Sequence, residues 1–156
     1  MAREYSKALY KSIRDYAQKE GWRGVKEDAE NGTIATTFRT DTKLKSVDLK
    51  ILALGRGIVS YGTIPFSADK ETLDAAAEFV ARANYGLNHG NFELDFRDGE
   101  LRYKSSLYCD SQNPSPADVD WIIDLPLHMW EKYGNALLSV LIGGETPEAA
   151  VAAAER

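Results

Sequence analysis

The segment 92–107 constrains this chain more than any other. Phe92, Leu94 and Phe96 alternate with Glu93, Asp95 and Arg97; Leu101, Tyr103 and Leu107 alternate with Arg102 and Lys104. A period of two sends successive side chains to opposite faces of a strand. Between the two runs stands Asp98-Gly99, a pair suited to a two-residue type I′ turn, where both central residues take positive φ. Such a turn sets Phe96 opposite Leu101 and Leu94 opposite Tyr103 on one face. On the other face it sets Asp95 opposite Arg102 and Glu93 opposite Lys104. Each opposite-charge pair is worth only ~0.2–1 kcal/mol. Their agreement with the apolar alternation still selects one register. One apolar and one charged face is the pattern of an antiparallel sheet covered by helices on one side.

The flanking segments extend the same architecture. Tyr5, Leu9, Ile13 and Tyr16 form one helical stripe, and Gly21 supplies a stop, which predicts a helix over 3–20. From Trp22 to Phe66 the period changes to two. Asn31-Gly32 is a second type I′ signal, setting Ala29 opposite Ile34 and Val25 opposite Phe38. Runs 43–54 and 58–66 read as two further strands around Gly55-Arg56-Gly57, with a loop of two or three residues. That triplet lacks the following helix and the Lys-Ser/Thr pair of a phosphate loop, so it reads as turn geometry. A second helix is expected over 67–90, capped by Ser67 or Asp69, with Leu73, Ala76, Ala77, Val80 and Leu87 as its apolar stripe and Phe79 widening it. After a Pro-containing loop over 111–116, Ser115-Pro116 reads as N-cap and first residue of a long helix. Its stripe runs through Val119, Ile122, Met129, Tyr133, Leu137, Val140 and Leu141, and Pro126 inside it should kink or break it. Thr146-Pro147 opens a short Ala-rich helix over 147–155. The expectation is one α+β domain over 1–156. Its mainly antiparallel sheet has about six strands, in the order helix, four-strand meander, helix, hairpin, long C-terminal helix.

Composition removes several function classes. A length of 156 residues is that of one domain. The net charge of −5 lacks the basic field that nucleic-acid binding needs. No window approaches the ~20 apolar residues of a membrane span, and the charged N-terminus does not read as a signal peptide. A single Cys excludes an internal disulfide. The reading is therefore a soluble, acidic protein that binds neither nucleic acid nor membrane.

Residues that could carry chemistry are few. Cys109 and the two histidines, His89 and His128, invite a nucleophile–base reading. No nucleophile elbow or protease signature surrounds them, and their spacing is not that of a tetrahedral zinc set. Glu27, Asp28 and Glu30, and Asp118, Asp120 and Asp124, are two acidic groups, but no pattern picks an acid–base pair and no Ca²⁺-loop spacing is present. They read as solvated faces. Trp22, Trp121 and Trp130 read as core or interface residues. No catalytic, cofactor or metal residue is assigned.

The stretch FVARANYGLNHGNFELDFRDGELRYKSSLY over 79–108 resembles the YbjN-like family. The carrying features are a helix ending near Asn84, then Gly-x-Phe-x-Leu-Asp, then Asp-Gly-Glu-x-x-Tyr. The long helix through Tyr133 and Leu137 and the tail IGGETPEAAVAAAE continue the resemblance, which spans roughly 5–155 and over 1–66 rests on the order of elements. It implies a fold similar to type III secretion chaperones and a non-enzymatic, cytosolic protein-interaction or regulatory module. It implies a homodimer with an unidentified protein partner and no cofactor. The small-residue run Ala75-Ala76-Ala77 and a complement of 3 Trp, 8 Tyr and 5 Phe fit a dimer. The rival expectation is a small-molecule sensor or a hydrolase with a pocket between sheet and helices.

Overall fold

The computed structural model describes residues 2–110 and 113–156, so positions 111 and 112 of the expected loop lie outside the described residues. In chain order the elements are α1 (Lys7–Lys19), β1 (Lys26–Asp28), β2 (Thr33–Arg39), β3 (Ser46–Leu54) and β4 (Gly57–Ser67). Then come α2 (Leu73–Asn84), β5 (Asn91–Leu94), β6 (Glu100–Tyr108), α3 (Pro116–Leu141) and α4 (Pro147–Ala154). The six strands form one antiparallel sheet in the order β1-β2-β3-β4-β6-β5. A four-strand meander and a separate hairpin therefore meet at β4 and β6, as the sequence implies.

Helix α1 begins at Lys7 rather than residue 3, because Ser6 is its N-cap and accepts from the Leu9 amide at 3.2 Å. The preceding residues are held by the sheet instead. The Arg3 guanidinium donates to the carbonyls of Asn31 and Ala53 at 2.9 and 2.7 Å, and the Tyr5 hydroxyl donates to the Ala29 carbonyl. Leu9, Ile13 and Tyr16 are buried as the stripe requires, and Gly21 has φ +65°. Strand β3 starts at Ser46, three residues later than expected, and Leu54 pairs with Gly57, so the loop between β3 and β4 has two residues.

Both Gly-marked hairpins differ from expectation in the same way. Glu27, not Ala29, stands opposite Ile34, and Phe92, not Leu94, stands opposite Tyr103. Four residues, 29–32, lie between the last paired positions of the first hairpin and six, 95–100, between those of the second, and Gly32 (φ +66°) and Gly99 (φ +76°) are the left-handed members that close them. An aspartate opens each loop. Asp28 Oδ1 accepts from the amides of Glu30 and Asn31 at 3.1 and 3.0 Å, and Asp95 Oδ1 accepts from the Arg97 amide at 2.9 Å. These side-chain turns hold the chain in a wider loop than a type I′ pair would. In consequence Leu94 faces Leu101, Glu93 faces Arg102, and Phe96 leaves the strand for the loop, where it is 62% exposed.

Helix α2 is shorter than expected. Ser67 ends β4, and Asp69 does not cap the helix but forms a turn, accepting from the amides of Glu71 and Thr72 at 3.0 and 2.9 Å. Thr72 is the N-cap, Ala76, Phe79 and Ala83 are buried, and Leu87 lies beyond the helix end. Helix α3 is capped by Ser115, as expected, but runs through Pro126 as one 26-residue element. Proline removes one N–H, so the Ile122 carbonyl, four residues back, loses its helical donor. The Ser105 hydroxyl on β6 donates to that carbonyl at 2.6 Å, and Ser60 on β4 donates to the next, Ile123, at 3.4 Å. The sheet thus satisfies what the proline leaves open, and the helix continues. Trp130, four residues on, is fully buried and donates its indole N–H to the Gly62 carbonyl at 2.7 Å. Helix α4 is capped by Thr146 and ends at Ala154.

Candidate interaction surface

Helices α1 and α3 cover the inner face of the sheet, while α2 packs at its β5 side against β5, α3 and α4. Because α2 stands at the sheet margin, part of it faces outward. Between it and the β5–β6 hairpin lies an open cleft of about 740 Å³. Ala77, Val80 and Ala81 form its helical wall, and Leu94 and Phe96 supply further apolar surface. Ala77 was expected in the core stripe; it is half-buried and lines this cleft instead. A second groove, lined by Ala81, Tyr85, Val151 and Ala152, continues across α2 onto α4, and Tyr85 there is 90% exposed.

The cleft rim is charged and internally paired. Arg97 and Asp95 meet at 2.6 Å, Arg102 and Glu93 at 2.6 Å, and Lys104 reaches Glu93 at 2.6 Å. Hydrogen bonds from the Arg97 side chain and amide hold the Asp95 carboxyl down at about 2. Burial pushes the Glu93 carboxyl up, but hydrogen bonds from Lys104 and Arg102 outweigh it and hold it below its ordinary value. Both groups are fixed anions near neutral pH, the opposite of what a general acid requires. Asp98 and Glu100 add two further carboxylates to the lining.

The residues singled out in the sequence do not converge. Cys109 is buried, with the Leu107 carbonyl 4.0 Å from its sulfur; burial, then the charge of Asp118, pushes its thiol up, away from the reactive thiolate. His89 is exposed and its ring meets that of Trp121 edge-on at 6.0 Å. His128 is exposed on α3. The acidic groups are occupied structurally. Asp124 accepts from the Tyr16 hydroxyl at 2.8 Å, Asp118 accepts from Ser115 at the start of α3, and Glu27 pairs with Arg14 at 3.1 Å. Trp22 packs edge-on to Tyr16 and Phe38, Trp130 is core, and Trp121 is 50% exposed. Among the described residues no group of three or more His, Cys, Asp or Glu could hold a metal ion, and no helix is long and apolar enough to cross a membrane.

Sequence reading missed two features here. The outward position of Phe96 followed from the loop length, for which Asp95 was the available signal. The role of Asn84, whose carboxamide meets Phe92 of β5, had no signal in the pattern.

Fold and surface together define a class: an α+β protein with one six-stranded antiparallel sheet, helices over one face, and at one margin an open cleft with an apolar helical wall facing a charged hairpin. More particularly, the chain belongs to the YbjN family, described as "Putative bacterial sensory transduction regulator", whose profile matches residues 10–139. No curated protein matches it. Among solved structures it is similar to a chain of the HopA1-SchA chaperone-effector complex, at 14% identity and TM-score 0.48, covering 82% of this chain and 94% of that one. It is also similar to a chain of the ExsC-ExsE complex, at 12% identity and TM-score 0.48, covering 80% and 91%. At these identities the likeness is one of chain path.

Proposed function

We propose that this chain is a non-enzymatic regulatory module, a single YbjN-like domain over 1–156, that acts by holding a segment of a partner protein. The observation that carries the reading is the cleft between α2 and the β5–β6 hairpin. Its wall of small side chains, Ala77 and Ala81, lets a partner approach the helix closely, and Phe96 offers an exposed aromatic anchor. A cleft that sets apolar side chains beside charged ones suits a partner segment of mixed character. The excess of carboxylates on the rim favours a partner segment with an apolar centre and basic flanks. Family membership supports a regulatory role, and the absence of a membrane-spanning helix among the described residues fits a cytoplasmic setting.

The test is affinity capture from the native host with the wild-type chain and with Ala81→Arg, which fills the cleft. A partner retained by wild type and lost with Ala81→Arg supports the reading. An identical set of captured proteins from both overturns it. The proposed homodimer is tested separately by sedimentation equilibrium at low micromolar concentration, where a mass near 17.3 kDa would remove it.

A further inference from the structure

An edge strand presents unpaired N–H and C=O groups and invites pairing with another chain. This sheet has two edges, β1 and β5. Strand β1 is three residues long, Lys-Glu-Asp, with every side chain exposed; shortness and charge are common protections of an edge. Strand β5, Asn-Phe-Glu-Leu, is one residue longer, carries a single charge, and buries Phe92. Asp95 at its end bonds inward, its amide donating to the Glu100 carbonyl at 2.9 Å. By the alternation of an antiparallel ladder, Phe92 and Leu94 then turn their backbone groups outward.

At Phe92 that outward position is already filled. Asn84, the last residue of α2, accepts from the Phe92 amide through Oδ1 at 2.7 Å and donates to the Phe92 carbonyl through Nδ2 at 3.0 Å. A second carboxamide, that of Asn91, donates to the same carbonyl at 3.3 Å. One carboxamide thus offers Phe92 the acceptor and the donor that a neighbouring strand would offer. We infer that Asn84 is a guard on the β5 edge, imitating a strand so that a second copy of this chain cannot pair there. The pairing it prevents is self-complementary. Two β5 edges related by a two-fold axis near Glu93 would set Phe92 against Leu94 of the second copy, each pair exchanging both backbone bonds.

The inference does not depend on the cleft or its partner. Hydrogen exchange of the wild-type chain, read by NMR, tests the contact directly. The Phe92 amide exchanges at least about 10-fold more slowly than the Leu94 amide, which shares its outward orientation without the carboxamide; equal rates overturn the inference. Sedimentation velocity of Asn84→Ala tests the consequence. The variant forms species larger than those of wild type, growing with concentration, and Asn84→Ala/Leu94→Pro, which removes the second outward N–H, reverses this. A folded Asn84→Ala that sediments like wild type overturns the guard role. So does a variant that no longer folds, since Asn84 would then be a general support of the fold.

Discussion

Replacing Ser105 with Ala should cost far more than the loss of one surface hydroxyl. Ser105 is 1% exposed, and its hydroxyl is the donor at 2.6 Å to the Ile122 carbonyl that Pro126 deprives of its helical partner. Leaving a buried carbonyl unsatisfied costs ~1–3 kcal/mol. For a chain of this length each kcal/mol corresponds to roughly 2–4 °C in Tm, so Ser105→Ala should melt about 4–8 °C lower at a central cost of ~2 kcal/mol. The discriminating measurement is a double-mutant cycle with Pro126→Ala. Alanine in place of the proline restores an N–H aimed at the Ile122 carbonyl, and a carbonyl with two lone pairs accepts from both donors or from either alone. In the Pro126→Ala background, Ser105→Ala should therefore cost less than ~1 kcal/mol. Urea unfolding followed by Trp fluorescence, with an unchanged m-value, gives the four free energies. An additive cycle, with the serine costing the same beside proline and beside alanine, would refute the claim that β6 compensates for Pro126.

Three further outcomes follow from the same geometry. Gly99→Ala and Gly99→Val should each destabilise by more than ~2 kcal/mol, because φ is +76° and an added Cβ would sit on the Ala68 carbonyl oxygen; thermal melts showing wild-type Tm for Gly99→Ala would contradict this. Trp130→Phe should lose ~1–3 kcal/mol, since it removes the buried indole donor to Gly62 while keeping most of the ring volume; an unchanged urea midpoint would show that the bond contributes nothing. Asp95 has its pKa depressed to about 2 in the fold, so it contributes stability above the ordinary carboxylate pKa of ~4 that is lost as pH falls toward 2. The fall in Tm over that window should be shallower in Asp95→Asn, and identical slopes would exclude the Arg97 contact as its source.

How far the sequence could be read turns on particular residues. The strands of the 92–107 hairpin, the caps at Ser115 and Thr146, and the stop at Gly21 were legible because each rests on local chemistry: alternation, a hydroxyl before a proline, a residue free to take positive φ. The continuity of α3 was not legible. Whether Pro126 breaks a helix depends on what meets the Ile122 carbonyl, and that partner, Ser105, comes from a strand 17 residues earlier. Asn84 is similar, since its two bonds to Phe92 complete a sheet edge that exists only after folding.

The hairpin error is the most instructive, because its consequences divide fold from function. Asp28-Ala29-Glu30-Asn31-Gly32 and Asp95-Phe96-Arg97-Asp98-Gly99 share an aspartate four residues before the glycine. That first aspartate, accepting from loop amides, is what turns an apparent two-residue turn into a wider loop. The resulting register moves by two. A shift of one would have exchanged the faces of the sheet, whereas a shift of two leaves the residues that stay in the strands on their expected faces. The fold class is therefore insensitive to the error. The surface is not, because the same two residues carry Phe96 out of the core-facing row and onto the rim of the cleft. A sequence can thus specify its architecture through patterns that tolerate an even slip, while the exposed anchor on which the proposed docking depends is decided by one carboxylate in a loop.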